Sequence, residues 1–440
     1  MSRQLVDDDY AVHIIDAARA LCARRSTARG ERVEVSHDAD LRYVHGLLAL
    51  RLGDDTFAGR RSMAAAALSG SQSDLLSDLA AGLQRDTGSD DEAVRESPTS
   101  LPGMIRRGEA LLLLARPEEA RRQFEAVLAI DSGHPQAHIG IARASQALGD
   151  DALAWKEFAH YRPECYGRSC EQPIWDGSRL DGRTILVWSD QGLGDTIQYL
   201  RYIPLLVERG ARVIVQCRAN IVSLIACVAG VSHVVAFGAP VPDFDMHAPF
   251  FALPRVFNRL GVGIPSGVPY LSAPPDLAIR WRERLRQRPK KVVGLVWAGE
   301  TTWHAARFKR VPFETLASLV RVRGCRFVSL QLGPHAADVI VPPTGPRVEE
   351  VLSESCTVAE TAAIVHTLDL VISVDTLVAH LAGALGRPTW LLLHHGADSR
   401  WLAQHRIVPW YPTIRLYRQT TTGDWSSILQ RVARDVDSLA

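Results

Sequence analysis

Leu-Gly-Asp-Asp occurs twice in this chain, at 52–55 and 148–151, each time between an apolar helical run and a second run that opens on small residues. The first copy begins near Gly46 and the second near Gly140. Between them Arg116-Pro117-Glu118-Glu119-Ala120, followed by Phe124, Leu128 and Ile130, supplies another second helix, and Ser132 to His138 starts the next unit. Ala120 and Ala154, like Phe124 and Phe158, stand one helical-repeat period of about 34 residues apart. Such a unit is a helix pair that cannot bury its apolar face alone, so it must stack on its neighbours. Ala58, Ala120 and Ala154 let paired helices approach closely, and Phe124 and Phe158 are expected in the grooves between successive pairs.

The pattern resembles the tetratricopeptide repeat, with His138 where Trp is usual, Ser145 where Tyr is usual and Ser132 in place of the helix-ending Pro. The expectation is two or three repeats within residues 1–161, and a weaker one within Ser73 to Ser100. Arg85 to Ser100, rich in Asp, Glu, Ser and Gly, reads as a long loop. Repeat arrays offer a concave face to a peptide or protein, so this region is a candidate for presenting an acceptor. A stabilising or dimerising appendage is the competing reading, and it keeps a homo-oligomer open.

Beyond a linker at 162–182 the texture changes to short β-branched runs alternating with helical patterns, which predicts parallel βαβ units. In a first lobe, 183–275, strands are expected at Ile185–Trp188, Arg212–Cys217 and His233–Phe237, with helices at Asp195–Glu208 and Asn220–Ala229. In a second lobe, 276–440, strands are expected at Val292–Trp297, Arg326–Gln331, Val371–Val374 and Thr389–Leu393, with helices at Pro312–Val322 and Thr376–Leu385. A Pro-rich joint, Pro265 to Pro275, lies between two doubly wound halves. The fold class is therefore α plus α/β: helical repeats followed by two Rossmann-like lobes, with ligands expected beyond the carboxyl ends of the strands.

Two strand-to-helix loops carry candidate chemistry. The first is Asp190-Gln191-Gly192-Leu193-Gly194-Asp195-Thr196, whose glycines allow a sharp turn onto a helix N-terminus. Asp195 there is either a helix cap or a functional carboxylate. The second is Ser373-Val374-Asp375-Thr376 before a helix carrying His380, where free N–H groups and the positive dipole end suit a diphosphate. Asp375 and Thr376 also have a capping alternative. Arg307, Lys309 and Arg310 lie in the loop after the Val292 strand, either as a solvated basic loop or as cations facing the same cleft. Asp243-Phe244-Asp245 spells a metal-binding Asp-x-Asp but sits among prolines, and the adjacent His394 and His395 point to opposite sides of an extended chain. No metal is expected at either place.

Composition narrows the function further. The chain has 440 residues, 22% charged and 47% apolar, with a formal net charge of +1. That is an ordinary globular balance, without the basic stripe of a nucleic-acid binder. Residues 1–21 are interrupted by Asp7, Asp8, Asp9, His13 and Asp16, so no signal peptide is read there, and no apolar run suffices for a membrane span. A cytoplasmic protein is expected. Seven cysteines, an odd and sparse set, argue against a disulfide framework, and Cys165 and Cys170 lack a partner pair at zinc spacing.

From Asp181 to Leu439 the chain resembles the tetratricopeptide-linked members of the heptosyltransferase-like glycosyltransferase family 9, flagellin-modifying proteins among them. The motifs that carry this are Gln191-Gly192-Leu193-Gly194-Asp195-Thr196-Ile197-Gln198, Gly294-Leu295-Val296-Trp297-Ala298-Gly299, Val374-Asp375-Thr376 with His380 to Gly386, and Pro409-Trp410-Tyr411-Pro412 with Arg415-Leu416. The resemblance implies a GT-B fold, an inverting mechanism without metal or cofactor, and a nucleotide-sugar donor. It makes Asp195 the catalytic base and Lys309, with Arg310 beside it, the cation on the donor diphosphate. Asp375, Thr376, His380, Trp297 and Gly299 fall to the donor site, and Gln191, Gly192 and Gly194 to the glycine-rich loop. The acceptor is expected to be a protein hydroxyl, flagellin being one candidate, or else a lipopolysaccharide or other glycan; a scaffold without turnover is the remaining alternative. The chain departs from the family at Glu300 to Phe308, at Leu332 for a common Lys, and at Ser399 for a Trp before Arg400-Trp401.

Overall fold

The structure, a computed structural model, describes residues 100–160, 170–286, 290–299, 306–339, 348–353, 356–401 and 408–439. All lie within one compact unit, Ser89–Ala440. The repeat copy near Gly46, the weaker repeat before Ser100 and the N-terminal leader reading fall outside the described residues.

The described chain opens with two helical hairpins: α1 (Leu101–Leu113) with α2 (Pro117–Ile130), and α3 (Pro135–Leu148) with α4 (Asp151–Glu157). Their ends follow local chemistry. The Ser100 hydroxyl accepts from the Gly103 N–H at 3.3 Å, and Pro117 opens α2 with Glu118 and Glu119 against the positive end of the dipole. Gly149 ends α3 in the left-handed conformation (φ 80°), and the Asp150 carboxylate caps α4. The Phe124 ring is clamped between glycines of two helices: a Cβ on Gly108 or Gly140 would stand 2.4 or 2.5 Å from it. Phe158 differs from expectation. Instead of filling a groove between hairpins it packs edge-on against Phe251 of the next region, with ring centroids 5.4 Å apart. His138, at the position where Trp is usual, is buried, its Nδ1 2.6 Å from the Glu157 carboxylate and its Nε2 3.1 Å from the Ser132 carbonyl.

Two parallel sheets follow. The first is built from β1 (Thr184–Trp188), β2 (Arg212–Cys217), β3 (Val231–Ala236) and β4 (Met246–Pro249) in the order β3-β2-β1-β4. Around it lie α5 (Leu193–Tyr199), α6 (Ile203–Glu208), α7 (Val222–Ile225) and α8 (Leu253–Arg259). The second runs β10-β9-β8-β5-β6-β7, from β5 (Lys291–Val296), β6 (Cys325–Ser329), β7 (Val348–Glu350), β8 (Leu370–Val374), β9 (Thr389–Leu393) and β10 (Ile414–Arg418). Its helices are α9 (Pro275–Leu285), α10 (Ala306–Lys309), α11 (Val358–Thr367), α12 (Leu377–Ala384) and α13 (Trp425–Asp437). β1, β8 and β9 are buried along nearly their whole length, as parallel strands covered on both faces must be.

Three expected helices are shorter than the pattern suggested. The Asp195–Glu208 segment is split by a 3-10 turn at Leu200–Tyr202, after which Pro204, lacking an N–H, sits in the first turn of α6. Asn220–Ala229 keeps only α7 behind another 3-10 turn, and Pro312–Val322 is a 3-10 turn at Phe313–Ala317. β4, β7 and β10 and helices α8, α9, α11 and α13 were not expected, nor was α10, a single helical turn that carries Lys309 where a loop was expected.

What matters for function is the pairing of two strand-to-helix turns. β1 runs into α5 and β8 runs into α12, and α5 packs against α12. The carboxyl ends of two inner strands therefore open on one cleft, the position at which α/β sheets receive ligands.

Candidate active site between the two sheets

Gly192 is the N-cap of α5, so Asp195 occupies the third helical position and is not the cap itself. Its Oδ2 accepts from the Gly192 N–H at 3.1 Å, half of a capping box. The other oxygen, Oδ1, lies 2.5 Å from Nη1 of Arg400, which reaches across from the second sheet's side. Thr196 fixes the same turn: its hydroxyl lies 2.5 Å from that of Ser189 and donates to the Gly192 carbonyl. Gln191 and Gly192 lie in the loop that delivers this turn. Gly194 has a separate purpose, because a Cβ there would stand 2.7 Å from the His380 ring. The missing side chain lets an imidazole of one lobe rest on the helix start of the other.

Arg400 is held by more than Asp195. It donates to Gln198 Oε1 at 2.9 Å, and its Nε lies 3.1 Å from Asp398. Burial opposes its charge, but Asp195 and Asp398 outweigh burial and hold the guanidinium protonated well above its ordinary range. Burial likewise pushes the Asp398 carboxyl up, and Arg400 with Arg143 brings it down to about 2. Asp195 thus has one oxygen on the start of its own helix and the other on a fixed cation from the second lobe's side.

On the opposite side Asp375 lies 2.7 Å from Lys309 Nζ and 3.7 Å from His380 Nε2. Burial disfavours its charge, yet Lys309 and then His380 keep its carboxyl well below the usual range. His380 Nδ1 is 2.9 Å from the Tyr411 hydroxyl, and Gly383 makes room for that ring, since a Cβ would stand 2.4 Å from it. Thr376 is the N-cap residue of α12, but its side chain makes no capping bond; its hydroxyl lies 3.1 Å from Ser373 Oγ. The positive end of α12 therefore carries no side-chain acceptor of its own, which suits an incoming anion. Gly299 approaches this point: a Cβ on it would be 3.7 Å from Thr376 Cγ2.

Lys309, Asp375, Thr376, His380 and Gly299 thus come together, with Gly194 and Asp195 across the cleft. Trp297 and Arg310 gather elsewhere. The Trp297 indole is fully buried and donates to Asp338 at 3.3 Å, and Arg310 donates to the same carboxylate at 3.2 Å. The side chain of Arg307 lies outside the described residues. His394 is buried against Phe308, its pKa lowered to about 4 by burial and by Lys309, so it is neutral at pH 7. His395 Nδ1 instead lies 3.2 Å from the Gln419 carbonyl. Among the described residues, His138, Glu157 and His160 bring possible metal-ligand atoms within 4.8 Å of one another, far along the chain from the expected loops. Both ring nitrogens of His138 are already engaged, and the two imidazoles stack face to face at 3.6 Å.

Residues that the sequence reading gave no role complete the cleft. Arg201 of the first lobe is 3% exposed and donates to the Pro265 carbonyl at 2.8 Å, the Trp410 carbonyl at 2.5 Å and the Tyr270 hydroxyl at 3.1 Å. Its guanidinium also lies 4.7 Å from the Tyr411 ring centroid, so one arginine joins first lobe, joint and second lobe. The signal for Arg201 was slight, a charge within an otherwise apolar run, Tyr199 to Leu206.

The chain is 25% identical over 375 residues to Protein FlbA of Caulobacter vibrioides, an alignment covering 78% of this chain and 62% of FlbA, so the chain spans under two thirds of that relative's length. Among solved structures it is similar to the glycosyl transferase family 9 protein from Veillonella parvula, at 12% identity and a TM-score of 0.46, over 60% of this chain and 98% of that one. It is also similar to the ADP-heptose lps heptosyltransferase II of E. coli, at 13% identity and a TM-score of 0.44, over 58% of this chain and 98% of that one. Residues 256–394, from within α8 to just past β9, match the family model for Glycosyltransferase family 9 (heptosyltransferase).

Proposed function

We propose that this chain is an inverting, metal-independent glycosyltransferase of GT-B architecture that moves a sugar from a nucleotide-sugar to a hydroxyl of a protein acceptor, flagellin being one candidate. The observation that carries the reading is the opposed pair of turns: a carboxylate, Asp195, on one side of the cleft, and a cation with an uncapped helix start, Lys309 and α12, on the other. In this reading the donor diphosphate lies at the start of α12. Lys309 turns from Asp375 toward it, and Gly299 and Thr376 line its approach. Asp195 takes the proton of the acceptor hydroxyl while that oxygen bonds to the anomeric carbon from the face opposite the nucleotide. The bond from that carbon to the diphosphate oxygen breaks, its electron pair leaves with the nucleoside diphosphate, and Lys309 with the helix dipole stabilises the added charge.

The helical hairpins belong to a tetratricopeptide-type array that presents the acceptor, and the enzyme works in the cytoplasm. A second reading, a lipopolysaccharide or other glycan as acceptor, is favoured by the heptosyltransferase description of the matched family.

The donor half is tested by thermal shift of EDTA-treated protein with UDP, ADP, GDP and CMP. One nucleotide at about 100 times its dissociation constant should add about 2.7 kcal/mol of stability. No shift with any of them in EDTA, and a shift on restoring Mg²⁺ or Mn²⁺, would contradict metal-free binding.

A further inference from the structure

An open cleft lies where the helical hairpins meet both lobes. Its walls come from three sources: Arg143 and Trp155 on the hairpins, Gln198 and Phe251 on the first lobe, and Arg400 and Trp410 on the second. The hairpin wall is tied to the second lobe directly, because the Ser399 hydroxyl donates to Gln146 Oε1 at 2.9 Å. The floor of the cleft is formed by the residues that hold Asp195, since Arg400 bonds both Asp195 and Gln198.

An independent observation points to a ligand. Gln198 is 1% exposed and its Oε1 accepts from Arg400, yet its Nε2 is buried with no hydrogen-bond partner among the described residues. A buried amide donor left unmade is costly, and a bound group carrying an oxygen relieves that cost. A peptide brings such an oxygen at every residue. Trp155, Phe251 and Trp410 offer aromatic faces to the apolar parts of its side chains.

We propose that this cleft seats the acceptor as an extended peptide: a hydroxyl-bearing side chain directed at Asp195, a neighbouring backbone carbonyl accepting from Gln198 Nε2, and the flanking segment running over Trp155 and Arg143. The assignment rests on the protein-acceptor reading above and places it. A donor needs only the cleft between the sheets; the third wall, made by α3 and α4, is the part a protein acceptor would use.

Trp155 is half-buried beside Phe158, and cooperative unfolding of each variant checks that the fold is kept. Transfer by the full chain to purified flagellin and to a lipopolysaccharide core oligosaccharide is measured for the parental protein, Trp155→Ala and Trp155→Glu. A nucleotide thermal shift on each serves as the control for the donor site. The assignment predicts that KM for flagellin rises at least tenfold in one or both variants, with kcat within about twofold and the nucleotide shift unchanged. Transfer to flagellin with KM unchanged in both variants overturns the cleft assignment alone. Parental transfer to the oligosaccharide only, or to neither probe, overturns the protein-acceptor reading itself.

Discussion

His394 follows the last residue of β9, buried against Phe308, and it contributes to the acid sensitivity of this protein. Its pKa falls to about 4 in the folded chain because burial and Lys309 both disfavour the cation. In the unfolded chain it takes up a proton near 6.5. As pH drops from 6.5 toward 4 the unfolded state therefore binds the proton first, and stability is lost through that window, levelling off below about 4. The loss amounts to about 3 kcal/mol at the acid end. Unfolding in urea at several pH values should show this slope for the parental protein and a flatter one for His394→Phe, which preserves ring contact with Phe308. Equal slopes would mean that the proton is bound elsewhere. Asp398 follows the ordinary carboxylate sign: its contribution holds above the unfolded pKa and is lost as pH falls from about 4 toward 2.

At the scale of elements, the contact of α5 with α12 depends on a residue with no side chain. Gly194→Ala would place a methyl 2.7 Å from the His380 ring, which is held by Tyr411 and cannot swing away without breaking that bond. The two helix starts should separate slightly, with about 1–3 kcal/mol of stability lost to overpacking and at least a tenfold fall in transfer. Parental melting and turnover in Gly194→Ala would show that the contact does not set the distance across the cleft. The β1–α5 and β8–α12 turns were legible in the sequence because the apolar strand runs end at Trp188 and Val374, followed by polar and glycine residues before each helix. The gap after Tyr199 and the 3-10 turn after Pro312 were not, since apolar periodicity continues through both while proline and tertiary packing decide the backbone. β4, β7 and β10 are short or flanked by polar residues, so their strand character comes from the neighbours they pair with. The Lys309–Asp375 pairing was within reach of sequence reasoning only as two charged loops; Arg201 and the Asp195–Arg400 bridge were beyond it, because their partners lie far along the chain.

For the whole molecule, two lobes and the hairpins converge on the space around Asp195. Arg201 ties the first lobe to the joint and to Trp410, while Arg400 links Asp195 to Asp398. A catalytic carboxylate held by a cation across the cleft differs from a carboxylate that merely finishes a helix, and one substitution separates the two. Asn in place of Asp195 keeps an oxygen for the Gly192 N–H and nearly the same shape, but it cannot accept a proton from an acceptor hydroxyl. With the donor nucleotide identified by thermal shift, the transfer rate of Asp195→Asn should fall by about 10²–10⁴-fold, while the nucleotide shift persists and the protein still unfolds cooperatively. Turnover within a few-fold of the parental rate would leave Asp195 a structural residue of α5 and contradict the account.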